Sequence, residues 1–170
     1  MGHYLPFQRG FAAVALVNPK TPANIGATMR ACGCYNVSLV VLAGPRPERL
    51  AGIPTDTNKT WRHLPHVRVS DVFDAIPYDC VPVAVDMVPD ARPLPGYIQP
   101  ERAFYIFGAE DATLGKAITE RCRDKIFVPT NGCMNLAASV NVVLYDRLAK
   151  ASLRGRRERN SSIIHRNEAA

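Results

Sequence analysis

The sequence predicts an α/β fold in which a mostly parallel sheet is flanked by helices. Short apolar runs of strand length alternate with segments of helical periodicity. The first run, Phe11–Val17, is apolar throughout, as is typical of a strand buried on both faces of a parallel sheet. The chain has 170 residues, of which 47% are hydrophobic and 21% charged. This composition excludes global disorder, and the length suits one domain.

The first βαβ unit is predicted in the N-terminal quarter of the chain. Phe11–Val17 is followed by a loop over Asn18–Pro22, a helix from about Asn24 to Cys32, and a second strand at Val37–Leu42. The residues from Ala43 to Pro65 show little periodicity and include Gly, Pro, Thr and charged residues. They predict a long surface excursion with one short helix, and long loops of this kind often carry function.

The middle of the chain continues the alternation of strands and helices. Ser70 is expected to cap a short helix that extends through Ile76. The elements that follow are a strand at Val81–Val85, a Pro-rich loop at Pro89–Pro100, a strand at Arg102–Phe107, a helix at about Leu114–Cys122 and a strand at Lys125–Val128.

A long helix is predicted from about Asn135. Its apolar stripe has the spacing of a helix packed on a core and consists of Leu136, Val140, Val143, Leu144 and Leu148. Gly155 is expected to end this helix. We therefore predict a single domain over residues 1–155 and a basic, flexible tail over residues 156–170.

The charge balance favours a polyanionic partner. The formal net charge is +6, and five arginines lie within the last 17 residues. A nucleic acid is one interpretation, and a solvated basic tail that binds nothing is the other.

Cysteine usage and hydropathy bear on the compartment. The five cysteines are odd in number and form no C-x-x-C pair, and no apolar segment typical of a signal peptide follows the N-terminus. We therefore expect reduced thiols and a cytoplasmic location. No apolar run approaches the length of a membrane span. His63 and His66 are the only closely spaced histidines and lack nearby Cys or acidic residues, so no metal site is predicted.

Two common phosphate-binding motifs are absent. No G-x-G-x-x-G sequence follows the first strand. The segment from Gly108 to Ala117 has six residues between its glycines, and Ala117 stands where a P-loop needs a hydroxyl group. The sequence therefore argues against a P-loop and against a standard dinucleotide fold.

Three loops remain at the carboxyl ends of predicted parallel strands, where open α/β sheets bind ligands. In the first loop, Asn24 opens the helix, while Gly26 and Ala27 leave its first turn bare and Arg30 lies one turn further. Such a helix start can hold a phosphate group. A capped helix with small residues for close packing explains the same pattern equally well.

The second and third loops are weaker signals when each is taken alone. Gly108 at a strand end lets a ligand approach the backbone, and the Glu110 carboxylate can orient a neighbouring side chain. The turn-rich segment from Val128 to Asn135 offers backbone amides to a small molecule. An ordinary loop with Asn135 as the helix N-cap is the simpler interpretation of that segment.

Taken together, the three loops resemble the SpoU/TrmH branch of the SPOUT methyltransferases, which methylate ribose 2′-hydroxyls in RNA. The resemblance runs from about Phe11 to Lys150. It rests on Pro22-x-Asn24-x-Gly26-Ala with Arg30, on Phe107-Gly108-x-Glu110 with Leu114, and on Val128-Pro129 through Met134-Asn135-Leu136. The third motif is most similar to that of the small, single-domain members that act on tRNA.

The resemblance implies a trefoil knot in the C-terminal part of the α/β domain, a homodimer, and S-adenosylmethionine (AdoMet) as cofactor with S-adenosylhomocysteine as product. No metal is required. The implied cofactor-binding residues are Val85, Asp86, Phe107, Gly108, Val128, Thr130, Cys133, Met134, Asn135 and Leu136. Cys133 stands where many family members have Ser, and a thiol is the poorer hydrogen-bonding group.

The resemblance also implies catalytic and RNA-binding residues. Arg30, Asn24, Glu110 and Asn135 are the candidate catalytic residues. Because a guanidinium is a poor proton acceptor, we expect Arg30 to orient the phosphate beside the target ribose. The candidate RNA-binding residues are Arg30, Arg46, Arg49, Lys59, Arg62, Arg154, Arg156 and Arg157. A tRNA anticodon loop is the first choice of substrate, and an rRNA is the second. The alternatives are a catalytically silent, knotted RNA-binding protein and a base methyltransferase.

Overall fold

The computed structural model describes residues 10–46 and 54–167, with side chains as far as Arg154. Within these ranges seven strands form one sheet in which every neighbouring pair is parallel. The strands are β1 Phe11–Val17, β2 Leu39–Ala43, β3 His66–Val69, β4 Val81–Val85, β5 Arg92–Pro93, β6 Arg102–Phe107 and β7 Asp124–Phe127. Their order is β3-β2-β1-β6-β4-β7-β5. The predicted parallel α/β class is confirmed, while the trefoil knot stays a prediction.

The helices differ from their predicted bounds at several ends. Helix α1 spans Pro22–Cys34 and starts two residues before Asn24, because Pro22 at its first position is already set to a helical φ. Helix α2 spans only Lys116–Thr119. Helix α3 spans Leu136–Asn167 and passes through Gly155, so the predicted end at Gly155 is wrong. A glycine inside a helix costs only about 1 kcal/mol, which packing elsewhere offsets.

The connecting segments also depart from prediction. Asp71, rather than Ser70, caps the turn at Val72–Ala75, since its carboxylate accepts the Phe73 N–H at 2.9 Å. The Pro89–Pro100 segment contains the short strand β5 and a 3-10 turn at Leu94–Gly96. The long segment after β2 contains a 3-10 turn at Thr60–Arg62, which corresponds to the short helix predicted there.

The strand β3 was not predicted from the sequence. It lies at one edge of the sheet beside β2, and its first three side chains are exposed. His66 and Arg68 alternate with Val67 and Val69 along β3, which is a strand pattern, but it covers only four residues. The strand is established by its pairing with β2, which is a tertiary feature.

The core lies on both faces of the sheet. Val14 and Leu16 of β1 face α1 and α3, where Ile25, Met29 and Val140 complete one buried cluster. Ala13, Ala15, Phe104, Ile106 and Cys122 belong to the second cluster, on the opposite face. This alternation confirms that the apolar run in β1 is buried on both sides. The predicted stripe of α3 is buried at Leu136, Val140, Val143 and Leu144.

A buried arginine anchors α3 to the amino ends of the central strands. Arg147 is 9% exposed, and its guanidinium donates to the backbone carbonyls of Pro100, Glu101 and Phe11. The Tyr105 hydroxyl is a further partner at 3.3 Å. These bonds fix the position of α3 against the sheet, and thereby the position of its first turn at the opposite edge.

Candidate active site

The three predicted loops meet at the carboxyl edge of the sheet. The loop after β1 leads into α1, the loop after β6 carries Glu110, and the loop after β7 leads into α3. Because β1 and β6 are neighbours and run parallel, the first two loops emerge side by side. Asn135 reaches the same place from the start of α3, through its contact with Asn24.

The Glu110 carboxylate accepts three hydrogen bonds from the start of α1. The backbone N–H groups of Lys20 and Thr21 donate to it at 3.0 and 3.2 Å, and the Asn24 amide donates at 2.5 Å. Partial burial would raise the pKa of Glu110, but these hydrogen bonds outweigh it and hold the pKa below its usual value. Glu110 is therefore an ionised acceptor that positions Asn24, and it is a weak base.

Asn135 has two functions at once. Its Oδ1 accepts the backbone N–H groups of Ala137 and Ala138 at 3.0 and 3.3 Å, which caps α3. Its Nδ2 donates to Asn24 Oδ1 at 3.0 Å. Since a carboxylate only accepts, the orientation of each amide in the chain Glu110–Asn24–Asn135 is determined by its neighbour.

Asn24 does not open α1, contrary to the prediction. The helix begins at Pro22, and Thr21 is the N-cap without a side-chain cap. The Asn24 side chain is instead the link between Glu110 and Asn135. The sequence could not show this link, because its partners are 86 and 111 positions away.

Arg30 lies on the exposed side of α1. It lies six positions after Asn24, or about 9 Å along the helix axis. The ion pairs found within the described ranges do not involve it. Its guanidinium is thus available to a ligand that arrives from solvent.

A cavity of about 470 Å³ lies beside this hydrogen-bonded chain, between the ends of β4, β6 and β7 and the start of α3. All of the predicted cofactor residues except Asn135 line it: Val85, Asp86, Phe107, Gly108, Val128, Thr130, Cys133, Met134 and Leu136. Glu110 also lines the cavity, whereas Asn24 and Arg30 do not. Its volume falls in the usual range for small-ligand sites, roughly 300–1,000 Å³.

Sequence reasoning missed several lining residues. They are Met87, Ala109, Asp111, Ala112, Thr113, Phe127, Gly132 and Ser139. All but Ala112 and Ser139 adjoin residues of the three predicted motifs or of the predicted site, so adjacency in the chain was the available signal. Ser139 lies one turn after Asn135 on α3, and the helical period was its signal.

The loop over Gly108–Leu114 folds back tightly on itself. A Cβ atom on Gly108 would lie 3.2 Å from the Ala112 carbonyl and 3.3 Å from the Leu114 nitrogen. Asp86 closes the loop, since its carboxylate accepts the Leu114 N–H at 2.7 Å and the Met87 N–H at 2.8 Å. Backbone at Gly108 therefore lines the cavity without a side chain in the way.

The cavity suits a bent ligand with both apolar and polar parts. Val85, Phe107, Val128 and Leu136 offer apolar surface, and the loop backbone offers donors and acceptors. The Thr130 hydroxyl donates to the Gly132 carbonyl at 2.7 Å and thus shapes the turn at the cavity rim. This combination fits AdoMet, which has an adenine ring, a ribose and a charged amino acid end.

The predicted RNA-binding residues are spread over the molecule. Arg46 lies near the site and pairs with Asp111 at 3.2 Å. Lys59 and Arg62 are exposed in the excursion before β3. Arg154 lies about 27 Å along α3 from Leu136. Arg49 lies outside the described residues, as do the side chains of Arg156 and Arg157.

Two kinds of feature are absent from the described residues. None of their helices combines the length and the hydropathy that a membrane span requires. Among the side chains that the structure describes, no group of three or more His, Cys, Asp or Glu could hold a metal ion.

A parallel sheet with a ligand cavity at its carboxyl edge defines an α/β ligand-binding protein. The comparison with known families makes this class specific. Residues 12–145 match the SpoU rRNA methylase family, and the chain belongs to that family. No protein of curated function matches it.

Solved structures share the fold. The SpoU methyltransferase AviRb from Streptomyces viridochromogenes, in complex with AdoMet, has a TM-score of 0.74 at 21% identity, covering 86% of this chain and 60% of AviRb. The A. aeolicus TrmH/SpoU tRNA modifying enzyme has a TM-score of 0.74 at 17% identity, covering 87% of this chain and 79% of that one.

A third structure, described as giving insights into 2-OH methylation of C/U34 on tRNA, has a TM-score of 0.71 at 19% identity. The match covers 89% of this chain and 99% of that chain. By contrast, this chain spans less than two thirds of AviRb. At these identities the likeness establishes the fold.

Proposed function

We propose that this protein transfers a methyl group from AdoMet to a ribose 2′-hydroxyl of RNA, with tRNA as the first candidate substrate. The observation that carries the proposal is the hydrogen-bonded chain Glu110–Asn24–Asn135 beside the cavity. Its middle residue, Asn24, lies on the helix that carries Arg30. Membership of the SpoU family supports it, as do the AdoMet complex of AviRb and the neighbour described for 2-OH methylation of tRNA.

The cavity residues would hold the cofactor mainly through backbone. Gly108 lets the ligand approach β6, and Asp86 keeps the loop above it closed. The apolar walls at Phe107, Val128 and Leu136 exclude water from the reacting centre. When bound, AdoMet supplies an electrophilic methyl group on a sulfonium.

Arg30 would position the acceptor. Its guanidinium is permanently charged, so it does not take the proton of the hydroxyl. It would hold the phosphate beside the target ribose, and that phosphate would take the proton that the 2′-hydroxyl loses on methylation. Alignment of this kind supplies roughly 7–11 kcal/mol.

Glu110, Asn24 and Asn135 would serve as positioning residues. Glu110 is held ionised and hydrogen-bonded, which suits an anchor rather than a base. The chain fixes the start of α1 relative to the start of α3. Together with core packing, these bonds would hold the helix that carries Arg30 in place beside the cavity.

A second copy of the chain would cover an exposed apolar strip on α3. Val142 and Tyr145 are 37% and 61% exposed and lie one turn apart on the side of α3 away from its core stripe. The proposal of a homodimer also rests on the family resemblance. A cytoplasmic location stays a prediction from cysteine usage.

Incubation with methyl-labelled AdoMet and bulk tRNA, followed by digestion to nucleosides, tests the function. Label in a 2′-O-methylnucleoside that is lost with Arg30→Ala supports the proposal. Label on a base would instead indicate a base methyltransferase. If AdoMet binds without labelling tRNA, the same assay with rRNA follows. A protein that binds RNA but not AdoMet would be a catalytically silent binder.

A further inference from the structure

A basic surface lies outside the cavity, on the segment that leads into β3. It consists of the exposed side chains Lys59, Arg62, His63, His66 and Arg68, and we call it the β3 surface. No acidic residue occurs between positions 57 and 70. The charge on this segment is thus of one sign, unlike the mixed charge of most protein surfaces.

Three cations of the β3 surface lie outside the ion pairs found in the described ranges. The six ion pairs found there involve Lys20, Arg46, Arg92, Arg121, Lys125 and Lys150. None of them involves Lys59, Arg62 or Arg68. The positive charge of the β3 surface is therefore not neutralised by a described neighbour.

Two contacts place the segment along the side of α1 that carries Arg30. The Thr55 hydroxyl donates to the Ala23 carbonyl at 2.7 Å, near the start of the helix. The Thr60 methyl lies 2.8 Å from the position of a Cβ on Gly33, near its end. Ala23 and Arg30 are seven residues apart, and Arg30 and Gly33 are three apart. Because these spacings are close to whole turns of a helix, the three residues lie on one side of α1.

The segment is held in a defined conformation. Asp56 is 5% exposed, its carboxylate accepts the Trp61 N–H at 3.0 Å, and its carbonyl accepts the Lys59 N–H at 3.0 Å. Trp61 packs against the core, and the Arg62 guanidinium lies 5.3 Å from the centre of its ring. A guanidinium plane held in this way is a platform on which a nucleobase can stack.

The β3 surface reaches the edge strand of the sheet. Strand β3 is two strands away from β1, or about 10 Å at the usual strand spacing. Its exposed edge carries His66 and Arg68. The cavity lies on the other side of β1, between the ends of β6, β4 and β7.

We propose that the β3 surface binds the backbone of the substrate RNA at nucleotides that flank the methylated one. The inference rests on the proposed function, and it names the direction in which the RNA leaves the site: from Arg30 along α1 towards β3. The occupant is RNA because the surface combines unpaired cations with a guanidinium stacking platform. Phosphates meet Lys59, Arg62 and Arg68, and a base stacks on Arg62.

The test compares Arg62→Ala, Arg68→Ala and the double variant with Arg123→Ala in the full chain. Arg123 is also exposed and outside the ion pairs found, but it precedes β7, which lies on the far side of β1 from β3, next to the opposite edge strand β5. Affinity for bulk tRNA is measured by fluorescence anisotropy over a range of salt concentrations. The methylation assay gives KM and kcat for the same variants.

We expect the double variant to bind tRNA about tenfold more weakly, with a salt slope smaller by about 2. Its KM for tRNA rises while its AdoMet affinity matches the wild type. Arg123→Ala leaves the affinity and the slope unchanged. A double variant that binds like the wild type, or an equal loss with Arg123→Ala, overturns the inference.

Two further outcomes separate the inference from the proposed function. If the wild type binds tRNA through this surface but methylates no RNA, the proposed function fails and the surface stands. If Arg68→Ala changes the sedimentation coefficient and not the RNA affinity, β3 is an interface between copies of this chain and the inference is wrong.

Discussion

Asn24 and Glu110 lie 86 positions apart in the chain, yet the Asn24 amide donates to the Glu110 carboxylate at 2.5 Å. This bond joins the start of α1 to the loop after β6, and Asn135 extends the connection to the start of α3. The carboxylate has three donors in all, so its substitution tests the whole arrangement.

We expect Glu110→Gln to lower the methylation rate about 10²-fold, the loss typical of a small misplacement at a reacting centre. A glutamine offers one acceptor atom in place of two, and its amide group would face the N–H groups of α1. Steady-state kinetics checks this, with the exposed Glu120→Gln as control. Unchanged kcat for Glu110→Gln would show that the chain does not position the reactants.

The Glu110 carboxylate is expected to make the stability of the protein depend on pH, and Glu110→Gln tests this. The pKa of Glu110 in the folded protein lies below its ordinary value of 4.5, because its hydrogen bonds outweigh partial burial. A carboxyl group whose pKa is lower in the folded protein than in the unfolded chain stabilises the fold at pH values above the unfolded pKa. This contribution is lost as the pH falls through the folded pKa. The free energy of unfolding of the wild type should exceed that of Glu110→Gln at pH 7. Denaturant unfolding at pH 7 and pH 3 should show the difference shrink, and a constant difference would contradict it.

Arg30→Lys should reduce turnover strongly while leaving AdoMet affinity almost intact. A lysine keeps the charge but cannot form the two-pronged contact with phosphate. Arg30 also does not line the cavity. Single-turnover kinetics and calorimetric AdoMet binding separate the two effects. Weak AdoMet binding by this variant would place Arg30 in the cofactor site instead.

Gly108→Ala should weaken AdoMet binding roughly tenfold, the effect of about 1.4 kcal/mol. The added methyl group would press on the Ala112 carbonyl and the Leu114 nitrogen and distort the loop over the cavity. Gly96→Ala is the matched control, since nothing lies within 4 Å of its Cβ position. Calorimetric titration with AdoMet measures the affinity of both variants. Equal affinities of the two variants would show that the loop yields without cost.

Thiol labelling provides a further measure of the cavity. Cys34 and Cys133 are exposed, whereas Cys32, Cys80 and Cys122 are buried, and burial raises the pKa of Cys122 to about 11. A thiol reagent at pH 8 should therefore modify two cysteines in the native protein. AdoMet should protect Cys133, which lines the cavity, and leave Cys34 reactive. Protection of both or of neither would disagree with the proposed cofactor site, and Cys133→Ser removes the protected thiol.

Several parts of the fold follow from the sequence. The apolar run Phe11–Val17 predicts a strand buried on both faces, and the structure places it in the interior of the sheet, between β2 and β6. The stripe that begins at Leu136 predicts α3 and the side that it buries. Both are local patterns, in which neighbours in the chain report on burial.

Other parts depended on distant residues. The strand β3 is established by the pairing of His66–Val69 with β2, since an alternating pattern of four residues is too short to define a strand by itself. Gly155 does not end α3, because the low helix propensity of one glycine costs little free energy compared with what stabilises the rest of a long helix. The place of Lys59 and Arg62 beside α1 likewise depends on the contacts of Thr55 and Thr60.

The sequence by itself determined the parallel α/β class, the order of its main elements and the three loops that would carry a site. The tertiary structure alone decided that Glu110 anchors Asn24, that Asn135 both caps α3 and bonds Asn24, and that Arg30 faces solvent outside the cavity. The physical reason is the range of each interaction. Periodicity depends on adjacent residues, whereas these hydrogen bonds form only after parallel strands have brought the loops to one edge of the sheet.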